Sequence, residues 1–127
     1  MSSDIKDWAE YPNFSASEFV CKHTGEHGMK AKFMDELQAI RDAFGQPMRI
    51  TSGYRHPTHP IEASKQNPGP HSTGMACDVA VGPGMDVHRI VEIAIRHGIT
   101  GIGISQKAGS PRFVHLDMVE RTALWSY

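Results

Sequence analysis

The chain predicts an α+β fold in which a small, mostly antiparallel sheet carries helices packed on one side. Two stretches, 31–44 and 86–97, place apolar residues at helical spacing. Four short runs, 48–51, 76–81, 100–104 and 112–118, have the length and apolar content of strands. Helices come early and in the middle, and strands surround the second helix, which reads as α+β.

Taken in order, Ser15-Ala16-Ser17-Glu18 is a capping-box pattern, so a short helix starts there and ends near Cys21. Residues 22–30 are a polar loop rich in glycine and histidine. From Ala31 to Phe44 the apolar positions Phe33, Met34, Leu37, Ile40, Ala43 and Phe44 share one face, and Gly45 stops the helix. A strand over 48–51 follows, closed by Ser52-Gly53-Tyr54-Arg55. The segment 56–70 is long and proline-rich, a length that usually serves function in a compact domain. We take it as one wall of a cleft. Strand 76–81 ends at the turn Gly82-Pro83-Gly84. Helix 86–97 turns Val87, Ile90, Val91, Ala94 and Ile95 inward, and Gly98 ends it. Strand 100–104, a loop over 106–110 and a final strand over 112–118 complete the sheet. Trp125-Ser126-Tyr127 forms a tail that docks over the core or lines the substrate groove.

A chain of 127 residues, 39% hydrophobic and 21% charged, suits one domain over 1–127 with residues 1–13 as an extension. The net charge of -1 gives nucleic acid no bulk electrostatic attraction. The N-terminus lacks the basic start and apolar run of a secretory signal, so synthesis in the cytoplasm is expected, with a separate agent delivering the protein to any outside substrate. No apolar stretch approaches the ~20 residues of a membrane helix, so no stable membrane association is expected. Two cysteines are no disulfide framework; Cys77 reads as a small buried hydrophobe, and a Cys21–Cys77 pairing stays open.

The chemistry concentrates in His71-Ser72-Thr73-Gly74-Met75-Ala76-Cys77-Asp78 and Phe113-Val114-His115-Leu116-Asp117. Two imidazoles and a carboxylate are the ligand types of a catalytic zinc, which keeps its fourth position for water. Alternation along a strand puts His115 and Asp117 on one face and Val114 and Leu116 on the other. If the two strands are neighbours, Asp78 and His115 meet, and the Gly74 turn brings His71 to the same point. An aspartate inside an apolar strand also needs a partner, because burying a free carboxylate is costly.

Ser52-Gly53-Tyr54-Arg55, His71-x-x-Gly74-x-Ala76-x-Asp78 and Phe113-Val114-His115-x-Asp117 together resemble the zinc D-Ala-D-Ala carboxypeptidase and L-Ala-D-Glu endopeptidase family, whose members cut peptide stems of bacterial cell walls. The resemblance runs from about Phe14 to the end and is nearest the small, phage-associated branch. It implies the hedgehog/DD-peptidase fold, with His71, Asp78 and His115 as Zn2+ ligands. It implies that Arg55, otherwise an ordinary turn arginine, binds the scissile carbonyl or a substrate carboxylate, for which a planar fork is suited. Zinc there would polarise the peptide carbonyl and lower the pKa of its bound water to about 7.

Two positions depart from the family pattern. Many members carry the catalytic carboxylate three residues before the last histidine ligand, where this chain has Arg112. Asp117 is the substitute, as general base or as a partner orienting His115; pairing with Arg112 or Arg121 is the plain alternative. A serine often stands two residues before the first histidine ligand, where this chain has Gly69.

The expected activity is therefore hydrolysis of a peptide bond involving a D-amino acid in peptidoglycan, by a monomer acting on the cell wall as an endolysin-like enzyme or a virion component. Which bond is cut stays open. The alternative is a non-catalytic zinc-stabilised domain that binds cell-wall peptide or a protein partner. A metal phosphoesterase is disfavoured by the lack of a second carboxylate-rich cluster. Cys21, His23 and His27 read as a polar loop, since no fourth ligand accompanies them. His56 and His59 are solvated loop histidines by default, with substrate contact as the alternative.

Overall fold

A five-stranded mixed sheet, in the order β1-β2-β4-β3-β5, carries Asp78, His115 and Asp117 of the site. Its strands are β1 (Ile50–Ser52), β2 (Ala76–Ala80), β3 (Gly101–Ser105), β4 (Phe113–Asp117) and β5 (Ala123–Ser126). The pairs β1–β2, β2–β4 and β3–β4 are antiparallel, and β3–β5 is parallel. The helices are α1 (Ala31–Phe44), the four-residue α2 (Pro60–Ala63) and α3 (Val87–Arg96). The computed structural model describes residues 3–67, 69–82, 85–107 and 109–127. Pro83 and Gly84 of the expected turn lie outside these, as do Pro68 and Ala108 of the two expected loops.

α1 forms where the sequence predicts it. Phe33, Met34, Leu37, Ile40 and Phe44 are all buried, and Gly45 takes the left-handed conformation that closes the helix. α3 is capped by Asp86, whose carboxylate accepts from Arg89 N at 3.0 Å. Its buried residues are Ile90, Ile93 and Ala94; Ile95, expected inward, is 60% exposed. The cause is tertiary. The Arg89 guanidinium donates to the Phe44 and Ala43 carbonyls at the end of α1, at 2.8 and 2.9 Å, and this fixes the rotation of α3.

Cys77, Val79, Ile102, Val114 and Leu116 join the helix residues in one buried cluster. The opposite sheet face is thereby left to Asp78, His115 and Asp117. Residues near the N-terminus pack on the same core: Tyr11 and Phe14 are buried, and Trp8 lies 5.4 Å from the Phe19 ring.

Four expectations need correction. The first strand covers Ile50–Ser52 rather than 48–51. The capping box at Ser15 starts a single 3-10 turn, Ala16–Glu18, with the Glu18 carboxylate accepting from Ser15 N at 2.8 Å. The segment 56–70 is not wholly irregular, since α2 lies within it. The strand at 112–118 is not the last one, because the tail adds β5 beside β3. Gly103 makes that possible: a side chain there would collide with the Trp125 indole. Cys21 and Cys77 are separate, buried, free thiols.

Candidate metal centre

Register brings the first two groups together. Asp78 on β2 stands directly opposite His115 on β4, and His115 Nδ1 lies 3.0 Å from Asp78 Oδ1. His71 arrives from the 3-10 turn Pro70–Thr73, just before β2. That turn closes at Gly74, with φ 77°, against the Gly28 carbonyl, where a Cβ has no room. His71 Nε2 then lies 3.4 Å from the same Asp78 oxygen. One ligand atom from each of the three residues falls within 4.8 Å of the others.

Each imidazole is oriented through its far nitrogen. His71 Nδ1 donates to the Gly53 carbonyl at 2.8 Å, so its Nε2 lone pair faces Asp78. Gly53 is held where it is needed because the chain passes against the Phe19 backbone, leaving no space for a side chain. The strip is zipped further by Arg55 N donating to His71 O at 3.1 Å and Ser72 Oγ donating to Arg55 O at 2.6 Å. The Ser52-Gly53-Tyr54-Arg55 motif thus aims His71 as well as presenting Arg55.

His115 is held from the other side. Its Nε2 donates to Asp117 Oδ2 at 2.7 Å, leaving Nδ1 to face Asp78. Two nitrogen lone pairs aimed at one carboxylate oxygen require positive charge between them, supplied by a proton or by a metal. Burial pushes the Asp78 carboxyl up, but hydrogen bonds from His115 and His71 and their charge outweigh it and lower it to about 2. Burial also pushes His115 down, and its hydrogen bonds to Asp117 and Asp78 more than reverse this, raising it. Tetrahedral zinc, with bonds of ~2.0 Å, separates its ligand atoms by about 3.3 Å. The donor set and its spacing fit that ion.

Asp117 does not occupy the position a general base needs. It is fully buried behind His115, on the side away from Asp78. Arg121 binds it with both nitrogens, at 2.8 and 3.0 Å, and Val119 N donates to it at 3.1 Å. Burial alone would raise its carboxyl; these hydrogen bonds hold it well below the usual carboxylate range instead. The placement suits orienting His115. Arg112 is exposed.

A cleft of about 270 Å³ opens over the cluster, lined by Arg55, Lys65, Phe113, Trp125 and Tyr127 together with His71, Asp78 and His115. Arg55 thus lines the same cleft as the cluster. Trp125 lies 5.2 Å from the His115 ring, so the tail lines the groove. Sequence reasoning did not single out Glu62, a buried carboxylate 2.8 Å from Arg55, nor Lys65 beside it. The acid–base spacing of Glu62 and Lys65 is their one visible signal, and it is common on any helix. Cys21, His23 and His27 form no metal-ligating group among the described residues. His59 caps α2 by accepting from Ile61 N at 3.1 Å, and His56 accepts from Thr58 N at the same distance. Neither belongs to the cleft.

Fold and site together define an α+β protein that carries, on one sheet face, a His-Asp-His cluster able to hold a metal ion and open on its cleft side. A family model described as Peptidase M15 matches residues 12–117, and the chain belongs to that family. No curated protein matches it. Among the described residues, no helix is long and apolar enough to cross a membrane.

Proposed function

We propose that the protein is a zinc-dependent hydrolase of a peptide bond involving a D-amino acid in bacterial peptidoglycan, working as a single-domain monomer on the cell wall. The observation that carries this reading is the convergence of His71, Asp78 and His115 under a cleft that also holds Arg55. Membership of a peptidase family supports it, and the motif resemblance supplies the substrate class and the link to phage-associated enzymes.

Zinc, when bound, supplies Lewis acidity toward the peptide carbonyl and toward water. The chain's own residues do the rest. His71 and His115 present lone-pair nitrogens toward the site, because the Gly53 carbonyl and Asp117 accept hydrogen bonds from the N–H groups at the opposite ring positions. Asp78 contributes charge and stays ionised. Asp117 is a positioning residue for His115, and Arg121 holds Asp117. Arg55 receives the carbonyl oxygen or a substrate carboxylate, and Trp125, Tyr127 and Phe113 shield the cleft from bulk water.

A second reading draws on one observation. Among the described residues lining the cleft, Asp78 carries the only carboxylate side chain, so none of them offers a second one to take a proton from water. That favours a zinc-stabilised domain that binds cell-wall peptide without cleaving it.

Digestion of purified peptidoglycan, followed by mass spectrometry, separates the two. Zinc-loaded protein releasing peptide fragments supports the hydrolase, and the masses name the bond. Protein that binds one zinc, sediments with peptidoglycan and releases nothing supports the binding domain.

A further inference from the structure

Glu62 sits in α2 with its side chain wholly enclosed, an unusual place for a carboxylate. Its partners explain it. Arg55 Nη1 donates to Oε2 at 2.8 Å, Lys65 Nζ lies 3.2 and 3.3 Å from its two oxygens, and Gly69 N donates to Oε1 at 2.6 Å. One buried acid thus gathers two cations, and both line the cleft over the metal cluster. Arg55 and Lys65 together outweigh the single negative charge of Glu62, so this group carries a net positive charge beside the cleft. The Lys65 side chain is 43% exposed while its head stays tethered to Glu62.

Gly69 accounts for the space. A Cβ at this position would stand 3.0 Å from Lys65 Nζ and 3.3 Å from Glu62 Oε1. A side chain at this position would press on the ammonium, and the lysine head occupies that room instead.

We infer that Lys65 is a second substrate-reading cation, paired with Arg55 through Glu62 to bind a free carboxylate close to the cleaved bond. The inference rests on the peptidase reading and narrows it to peptides bearing such a carboxylate. An arginine–carboxylate fork supplies direction, and the lysine adds a point charge that tolerates small changes in carboxylate position. Glu62 is then a positioning residue, since it acts through both cations.

The test is binding to the zinc-loaded protein by calorimetry or NMR titration, with two probe pairs. One pair is acetyl-D-Ala-D-Ala and its C-terminal amide. The other is acetyl-L-Ala-D-Glu and its α-amide. Wild type binds the carboxylate form of at least one pair roughly 10- to 100-fold tighter, the range of one charged hydrogen bond. Lys65→Met reduces that ratio to about the level of a few-fold, Lys65→Arg restores it, and Gly69→Ser lowers it by crowding the ammonium. A ratio equal in wild type and Lys65→Met, or no discrimination by wild type in either pair, overturns the inference. Peptidoglycan digestion run in parallel keeps the two readings apart. Fragment release with a lysine-independent ratio sinks only the role of Lys65. A lysine-dependent ratio without fragment release sinks only the peptidase.

Discussion

Asp117 accepts a hydrogen bond from His115 Nε2 at 2.7 Å while the two guanidinium nitrogens of Arg121 grip its oxygens from behind. The chain Arg121–Asp117–His115 ends at Asp78, so orientation is transmitted from a half-exposed arginine to a ligand atom. Partners of this kind typically tune metal affinity by ~10- to 100-fold. Asp117→Asn should therefore weaken zinc binding by about that factor, measured by competition with a chromogenic chelator. An unchanged affinity with lost turnover would return Asp117 to the role of base.

Most of this site was legible because it rests on register. Once β2 and β4 are neighbours, alternation forces Asp78 and His115 to one face, and the sequence carries that alternation in Cys77, Val79, Val114 and Leu116. The role of Asp117 was not legible, because a strand-face carboxylate reads alike whether the cleft or the packed tail covers it. The cover is Arg121, in the turn that leads into β5, and Ala-Leu-Trp-Ser of β5 has no strong strand signal of its own. Its trace was in β3, where Gly101 and Gly103 leave two same-face positions empty for Asp117, Arg121 and Trp125 to fill. The exposed Ile95 of α3 has the same lesson: two adjacent apolar stripes were available, and Arg89 decided between them.

Metal removal should loosen the fold as well as the site. Asp78, His115 and His71 come from β2, β4 and the turn before β2, so an ion held by them would join segments that are far apart in sequence. Zinc free at 1,000 times its Kd stabilises by about 4 kcal/mol, which corresponds to a Tm shift on the order of 10 °C for a domain of this size. Scanning calorimetry with and without a chelator measures it. His115→Ala should abolish the shift; a shift that survives would place the metal elsewhere.

Glu62 makes stability depend on acid. Burial pushes its carboxyl up, but the hydrogen bonds from Arg55, Gly69 N and Lys65 prevail and lower it from 4.5 to about 2. A depressed folded pKa gives stability that is fully present above the unfolded value and is lost as pH falls from about 4.5 toward 2. The contribution is at most about 3 kcal/mol. Denaturant unfolding of wild type and Glu62→Gln between pH 7 and pH 2.5 isolates it. The gap between the two proteins should be widest above pH 5 and close on acidification; a constant gap would remove Glu62 as its source.

Gly74 and Gly45 offer a matched pair for the turn that aims His71. Both have positive φ, 77° and 75°, so alanine at either pays the left-handed cost of about 1 kcal/mol. Only Gly74 abuts the Gly28 carbonyl; the space around a Cβ at Gly45 is open within 4 Å. Gly74→Ala must therefore also move the backbone, adding a further 1–3 kcal/mol or so, as overpacking does. Urea midpoints should fall modestly for Gly45→Ala and two to four times as far for Gly74→Ala, in terms of these estimates. Zinc affinity should separate them further. Gly74 lies three residues after His71 and Gly45 lies in another part of the fold, so only the first change tilts a ligand. Equal losses of zinc affinity in both variants would mean that the turn does not set the position of His71.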